Sequence, residues 1–159
     1  WAFRQPHAIQ AITNSQCGVM LMHMQKDPTT MQFDPHYQDV VAEVNGFLIE
    51  RCVALEDEGI ARERLAIDPG FGFGKTVEHN MTMLAHFHEF CQHDLPVVAG
   101  LSRKSSLGAI TGKDAQHRQT ASVAAALMAL ERGAHILRVH DVSETMDAVK
   151  IWVATQDCL

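Results

Sequence analysis

The sequence has 159 residues, of which 47% are hydrophobic, 20% charged and 6% aromatic. That is room for one domain with a real core and too little for two, and it excludes collagen-like, disordered and disulfide-miniprotein classes. The formal net charge of −6 argues against nucleic acid as a partner, and no apolar run reaches the roughly 18 residues of a transmembrane helix.

In chain order, Pro6 to Ile12 reads as the end of a helix. Val19 to Met24 is a near-continuous apolar run and reads as the first strand. Val40, Val41, Val44, Phe47, Leu48, Cys52 and Leu55 recur at helical spacing, with Asp34-Pro35 as a start signal and Gly59 as a stop. Leu65 to Ile67 forms a second strand ending at Asp68-Pro69. Met81 to His88 marks a second helix. Pro96 to Ala99 is a third strand, ending at Gly100. The Ala- and Leu-rich run Thr120 to Arg132 favours helix and Gly133 ends it. His135 to Val139 is the fourth strand. The last helix carries Val142, Met146, Val149 and Val153 on one face, and Asp141 with Glu144 predicts a capping box. Short apolar runs without alternation predict parallel strands covered on both faces.

The fold class is therefore α/β, a helix followed by βα units. Two architectures fit it: an open doubly wound sheet and a (β/α)8 barrel. A barrel takes about 250 residues, so four units are half of one. Residue 1 is Trp, not Met, and no signal peptide follows it. The chain reads as cut from something longer, or processed. Cys17, Cys52, Cys91 and Cys158 form no CxxC pair, so reduced thiols in a cytoplasmic protein are expected.

Polar and Gly-rich residues gather where the strands end. In parallel α/β folds those ends share one face, where ligands bind. The segment Asp68 to Thr76 (DPGFGFGKT) imitates a P-loop, but Pro69 stands where a P-loop needs Gly; a dinucleotide fingerprint fails at Lys75. Its glycines suit a loop that lets backbone approach a ligand while Phe71 or Phe73 packs on a planar ring. Asp68 has two readings: it accepts paired N–H bonds from a guanidine-like heterocycle edge, or it ties the loop. Ser102-Arg103-Lys104-Ser105 and Arg138-Val139-His140 put cations at the last two strand ends, which suits a phosphate group. His86, His88, Cys91 and His93 superficially suggest metal ligands, but helical spacing points His86 and His88 apart. The Met20, Met22 and Met24 stripe reads as core, with Met24 at the strand's exit.

Met22-His23-Met24-Gln25, DPGFGFGK from Asp68, GLSRKS from Gly100 and RVHDV from Arg138 together resemble the dihydropteroate synthases, and the resemblance covers essentially the whole chain. It implies the C-terminal half, strands five to eight, of a (β/α)8 TIM barrel, with residues 1–159 as one pterin-binding domain that is N-terminally incomplete. It implies the folate-pathway transfer of p-aminobenzoate onto 6-hydroxymethyl-7,8-dihydropterin diphosphate, with pyrophosphate leaving and magnesium assisting. By position, Asp68, Met24, Gly100 and Lys104 resemble the pterin pocket. Gly72, Phe73, Arg103 and Ser105 resemble the p-aminobenzoate side. Arg138 and His140 resemble the diphosphate ligands, and Lys104, Arg138 and His140 the catalytic set.

The family's early-strand residues for the metal and the pterin have no counterpart in the sequence. The resemblance therefore places the magnesium ligand off this chain and predicts a partial enzyme, inactive alone. It also implies a homodimer for the full-length protein. The competing readings are the pterin domain of a corrinoid-linked methyltransferase, an inactive barrel fragment acting as a binding module, and a P-loop phosphotransferase.

Overall fold

The computed structural model describes residues 6–156 and 158; Trp1 lies outside the described residues. The elements run α1 (Pro6–Thr13), β1 (Val19–Met22), α2 (Val40–Asp57), β2 (Leu65–Asp68), α3 (Val77–Ala85), β3 (Val98–Ala99), α4 (Ser105–Thr111), α5 (Gln119–Glu131), β4 (Ile136–Leu137) and α6 (Val142–Gln156).

All four strands are parallel. Met22 stands opposite Asp68 in the β1–β2 pair, and Ala99 opposite Leu137 in the β3–β4 pair. A bridge between Ile67 and Val97 joins the two pairs, and the Ile67 N–H donates to the Pro96 carbonyl at 2.9 Å. The strands thus stand in the order β1-β2-β3-β4. A doubly wound sheet reverses its strand order at a switch point. This one does not, so of the two architectures the barrel wall is the one it matches.

The helices lie against one face. Val19, Leu21, Leu65, Ile67, Val97 and Ala99 share a core with Val44, Leu48 and Leu55 of α2, Met83 of α3, and Ala125 and Ala129 of α5. Alternation along a strand sends Met20, Met22 and Asp68 to the opposite face. There Met20 and Ile136 are each 46% exposed. The sequence predicts cover on both faces; on this face Asp68 and Val98 are buried while Met20 and Ile136 are not, so among the described residues the cover is complete only on the helix side.

Several boundaries differ from the sequence reading for local reasons. Strands β1, β3 and β4 are shorter than expected, with β1 ending at Met22 before His23 and Met24, whereas β2 runs one residue further, to Asp68. Asp39, not Asp34, caps α2 by accepting the Val41 and Ala42 N–H groups. The second helix starts earlier, at a capping box between Thr76 and His79, and stops at Ala85. A 3-10 segment, Phe87–Cys91, follows, which turns both Phe87 and Phe90 into the core. Helix α4 was not anticipated. It has seven residues with Gly108 inside, too few for a periodic signal, and Gly112 closes it at φ 69°. The Asp141 carboxylate does not complete the expected capping box: it pairs with Arg103. Among the described residues no helix is long and apolar enough to cross a membrane.

Candidate active site at the carboxyl ends of the strands

Asp68 ends β2 with no exposed surface. Its Oδ1 accepts the Gly70 N–H at 2.8 Å, and its Oδ2 accepts from the Arg138 guanidinium at 3.2 Å. The loop-tying reading of Asp68 is met by Oδ1, while Oδ2 takes one N–H of the Arg138 guanidinium. Arg138 leaves β4 beside Gly100. A Cβ on Gly100 would stand 2.5 Å from the guanidinium, so the bare glycine is what lets that group lie flat there.

The loop between Asp68 and α3 is tied at nearly every backbone group. Asn80 Oδ1 accepts the Gly72 N–H at 2.7 Å, and the Tyr37 hydroxyl donates to the Gly74 carbonyl at 2.9 Å. The two loop phenylalanines part ways. Phe71 is buried and stacks on Phe87 at 6.1 Å between ring centroids. Phe73 stays at the surface of the site with Lys104 Nζ 4.2 Å from its ring centre. Of the two candidates for packing on a ligand ring, only Phe73 is free to do so. Gly72 gives the Lys104 stem room, since a Cβ there would meet Lys104 Cδ at 3.3 Å. Burial and then the Arg138 charge hold the Lys104 pKa below its usual value, and Asp68 partly opposes them.

The third and fourth strand ends are laced together. Ser102 Oγ meets His140 Nδ1 at 2.9 Å and accepts the His140 N–H at 3.1 Å. This holds the imidazole and leaves Nε2 for a ligand. Arg103 adopts φ 56°, a strained region for a side-chain-bearing residue. Its backbone N–H donates to Ser122 Oγ at 2.9 Å, and its carbonyl accepts from Arg118 at 3.0 Å. Its guanidinium pairs with Asp141 at 2.5 Å. That contact holds the Asp141 pKa below the ordinary carboxylate range. Arg103 is therefore committed to tethering the loop. Ser105 is exposed at the first turn of α4, and Met24 is half-buried beyond β1.

Beneath the loop lies a pair the sequence reading passed over. Lys75 Nζ is 2.9 Å from His23 Nδ1. Burial, then the Lys75 charge, lower the His23 pKa to about 3. Burial, then Lys104, lower the Lys75 pKa to about 7, with Asp68 opposing. Each group binds fewer protons folded than unfolded. Each therefore makes stability rise with pH, His23 between about 3 and 6.5 and Lys75 between about 7 and 10.4. Removing the His23 titration is expected to flatten the acid side. His23→Asn, whose amide oxygen replaces Nδ1 as acceptor, should lose less unfolding free energy than the parent between pH 6.5 and 3.5, by roughly a few kcal/mol. Equal losses in urea titrations at the two pH values would show that His23 does not titrate this way.

Residues 1–140 match the family described as "Pterin binding enzyme". The chain belongs to the pterin-binding enzymes. It is 47% identical over 154 residues to the dihydropteroate synthase of Haemophilus influenzae, covering 97% of this chain and 56% of that protein. Among solved structures, the Xanthomonas albilineans dihydropteroate synthase in complex with 7,8-dihydropteroate superposes with a TM-score of 0.90 at 50% identity, covering 98% of this chain and 56% of that one. The same enzyme with 4-aminobenzoic acid gives a TM-score of 0.90 at 51% identity, covering 98% and 57%. The chain spans about half the length of these relatives.

For a pterin-binding enzyme the sequence reading still left out His23, Lys75, Asn80, Ser102 and Asp141 as organisers of the site. The one signal was Lys75 itself, a lysine within a Gly-rich loop that fails as a phosphate loop. Among the described residues no group of three or more His, Cys, Asp and Glu side chains is placed to hold a metal ion.

Proposed function

We propose that this chain is the C-terminal half of a dihydropteroate synthase barrel, strands five to eight, in a full-length protein whose remaining half closes the sheet. The observation that carries the reading is the convergence of Asp68, Arg138 and Lys104 from three strand ends far apart in sequence, with Lys104 over the Phe73 ring. The exposed face bearing Met20 and Ile136 is where the remaining strands would pack.

In this reading Asp68 accepts the paired N–H groups of the pterin's aminopyrimidine edge. In the free protein one N–H of the Arg138 guanidinium occupies an oxygen of that carboxylate. Pterin binding would displace the guanidinium from Asp68 and free it for the diphosphate, beside His140. Met24, Gly100 and Lys104 line the pterin pocket. Phe73, with Gly72 and Ser105, lines the p-aminobenzoate side, and Arg103 acts by holding the loop.

The arylamine nitrogen attacks the exocyclic methylene carbon of the pterin. A C–N bond forms, the C–O bond breaks, pyrophosphate leaves with the bonding pair, and the amine loses a proton. Arg138 and His140 stabilise the charge growing on the leaving group, and the two pockets supply proximity. The described residues provide no magnesium site by themselves; in this reading the metal's ligands belong to the remaining half of the protein. Cytoplasmic location and a homodimer of the full-length protein belong to the same reading.

The test compares two purified proteins given dihydropterin diphosphate and p-aminobenzoate. The full-length protein should release pyrophosphate and form 7,8-dihydropteroate. The 159-residue chain should form none above background. Robust turnover by the chain alone would overturn the half-barrel reading, and its absence from the full-length protein would overturn the activity.

A further inference from the structure

Lys75 is only 5% exposed, and its ammonium meets three acceptors: His23 Nδ1 at 2.9 Å, the Gly70 carbonyl at 3.1 Å and the Phe73 carbonyl at 3.1 Å. An ammonium has three N–H donors, so the set is filled. No carboxylate oxygen is among the partners. A buried cation without a contacting anion is costly, and a methionine would fill similar space without that penalty. Lys75 is thus ill-suited to stabilising the fold, and what it holds is informative.

The other ties on the loop hold different atoms: the Phe73 N–H donates to the Gly70 carbonyl at 3.1 Å, and Gln32 Nε2 donates to the Gly72 carbonyl. Asp68 takes the Gly70 N–H, Asn80 the Gly72 N–H, and Tyr37 donates to the Gly74 carbonyl. Among the described residues none of these reaches the Phe73 carbonyl; Lys75 does. It also spans the loop, from Gly70 at its start to the ring-bearing Phe73, and anchors both to His23, which a hydrogen bond from its N–H to the Asp68 carbonyl fixes at 3.0 Å. The Phe73 ring in turn faces Lys104.

We propose that Lys75 is a positioning residue that pins the Phe73 carbonyl to His23 from beneath the loop and so sets where the Phe73 ring meets the second substrate. The proposal rests on the p-aminobenzoate reading of the Phe73 side. Lys75 touches neither substrate in that reading, so its influence passes through the loop.

The test uses Lys75→Met in the full-length protein, with two readouts. Amide exchange at Phe73, whose N–H donates to the Gly70 carbonyl, should accelerate about tenfold or more while β2 stays protected. The KM for p-aminobenzoate should rise about tenfold while that for dihydropterin diphosphate changes less than threefold. Should the methionine variant not fold, Lys75→Gln, whose amide NH2 keeps two of the three donors, serves instead and should show a smaller change of the same kind. Unchanged loop exchange overturns the proposal, and so does faster exchange with both KM values unmoved. A parent protein that forms no dihydropteroate would sink the functional reading, and the exchange rates would still decide whether Lys75 holds the loop.

Discussion

Gly70→Ala is expected to be among the most destabilising single substitutions in this protein, with a loss of about 4 kcal/mol or more. Gly70 sits at φ 72°, and a Cβ there would lie 1.9 Å from the His23 carbonyl oxygen and 3.0 Å from its carbon. The left-handed backbone alone costs a side-chain-bearing residue about 1–2 kcal/mol. The collision is worse, because its partner is main chain. No side chain can swing aside, and the His23 N–H is already bonded to the Asp68 carbonyl at 3.0 Å. Relief requires moving β1 away from β2 or lifting the loop off Asp68 and Lys75. Gly59→Ala is the control: its φ is 85°, but nothing lies within 4 Å of the new methyl, so the loss should stay near 1 kcal/mol. Urea unfolding of the two variants decides it. Similar losses would mean that the close approach at Gly70 relaxes freely.

Asp68→Asn is expected to separate folding from recognition. Its Oδ1 can still accept the Gly70 N–H, so the loop keeps its tie. On the other side an NH2 group replaces an acceptor. It meets the Arg138 guanidinium in the free protein and, in the proposed complex, the pterin's donor edge. Two donors face each other, and a charge-assisted bond worth about 1.5–3 kcal/mol is lost. Binding of dihydropterin diphosphate by the full-length protein should weaken by about 100-fold. Stability should fall by only about 1–3 kcal/mol. Calorimetric titration beside a thermal melt measures both. Unchanged affinity would remove Asp68 from the pterin site, whatever the melt shows.

Much of the site could be read in one dimension because strand ends announce themselves. Apolar runs give way to Asp68-Pro69, to Gly100 and to Arg138, and parallel topology gathers such ends on one face. The two phenylalanines of the loop illustrate the limit. Phe71 and Phe73 are equivalent as residues in a Gly-rich segment. Only the position of Phe87, 16 residues on, makes one of them core and leaves the other facing Lys104. Arg103 shows the same limit. It stands in a basic cluster beside Lys104, and nothing local reveals that its guanidinium belongs to Asp141 on the neighbouring strand end.

The helix boundaries missed were those set by short or long-range signals. The seven residues of α4 are too few to show a period. The stop at Ala85 follows from burying Phe87 and Phe90 together, which no propensity encodes.

The residues themselves thus determined the four parallel strands, the longer helices and the polar residues collected at the strand ends, because periodicity, glycine and charge act locally along the chain. Tertiary structure alone decided the unreversed strand order, the one-sided helix cover, the Asp68–Arg138 pairing and the burial of Lys75 against His23. Those depend on atoms some 50 to 70 positions apart, and contacts at such separation are selected by packing and hydrogen-bond satisfaction across the whole sheet.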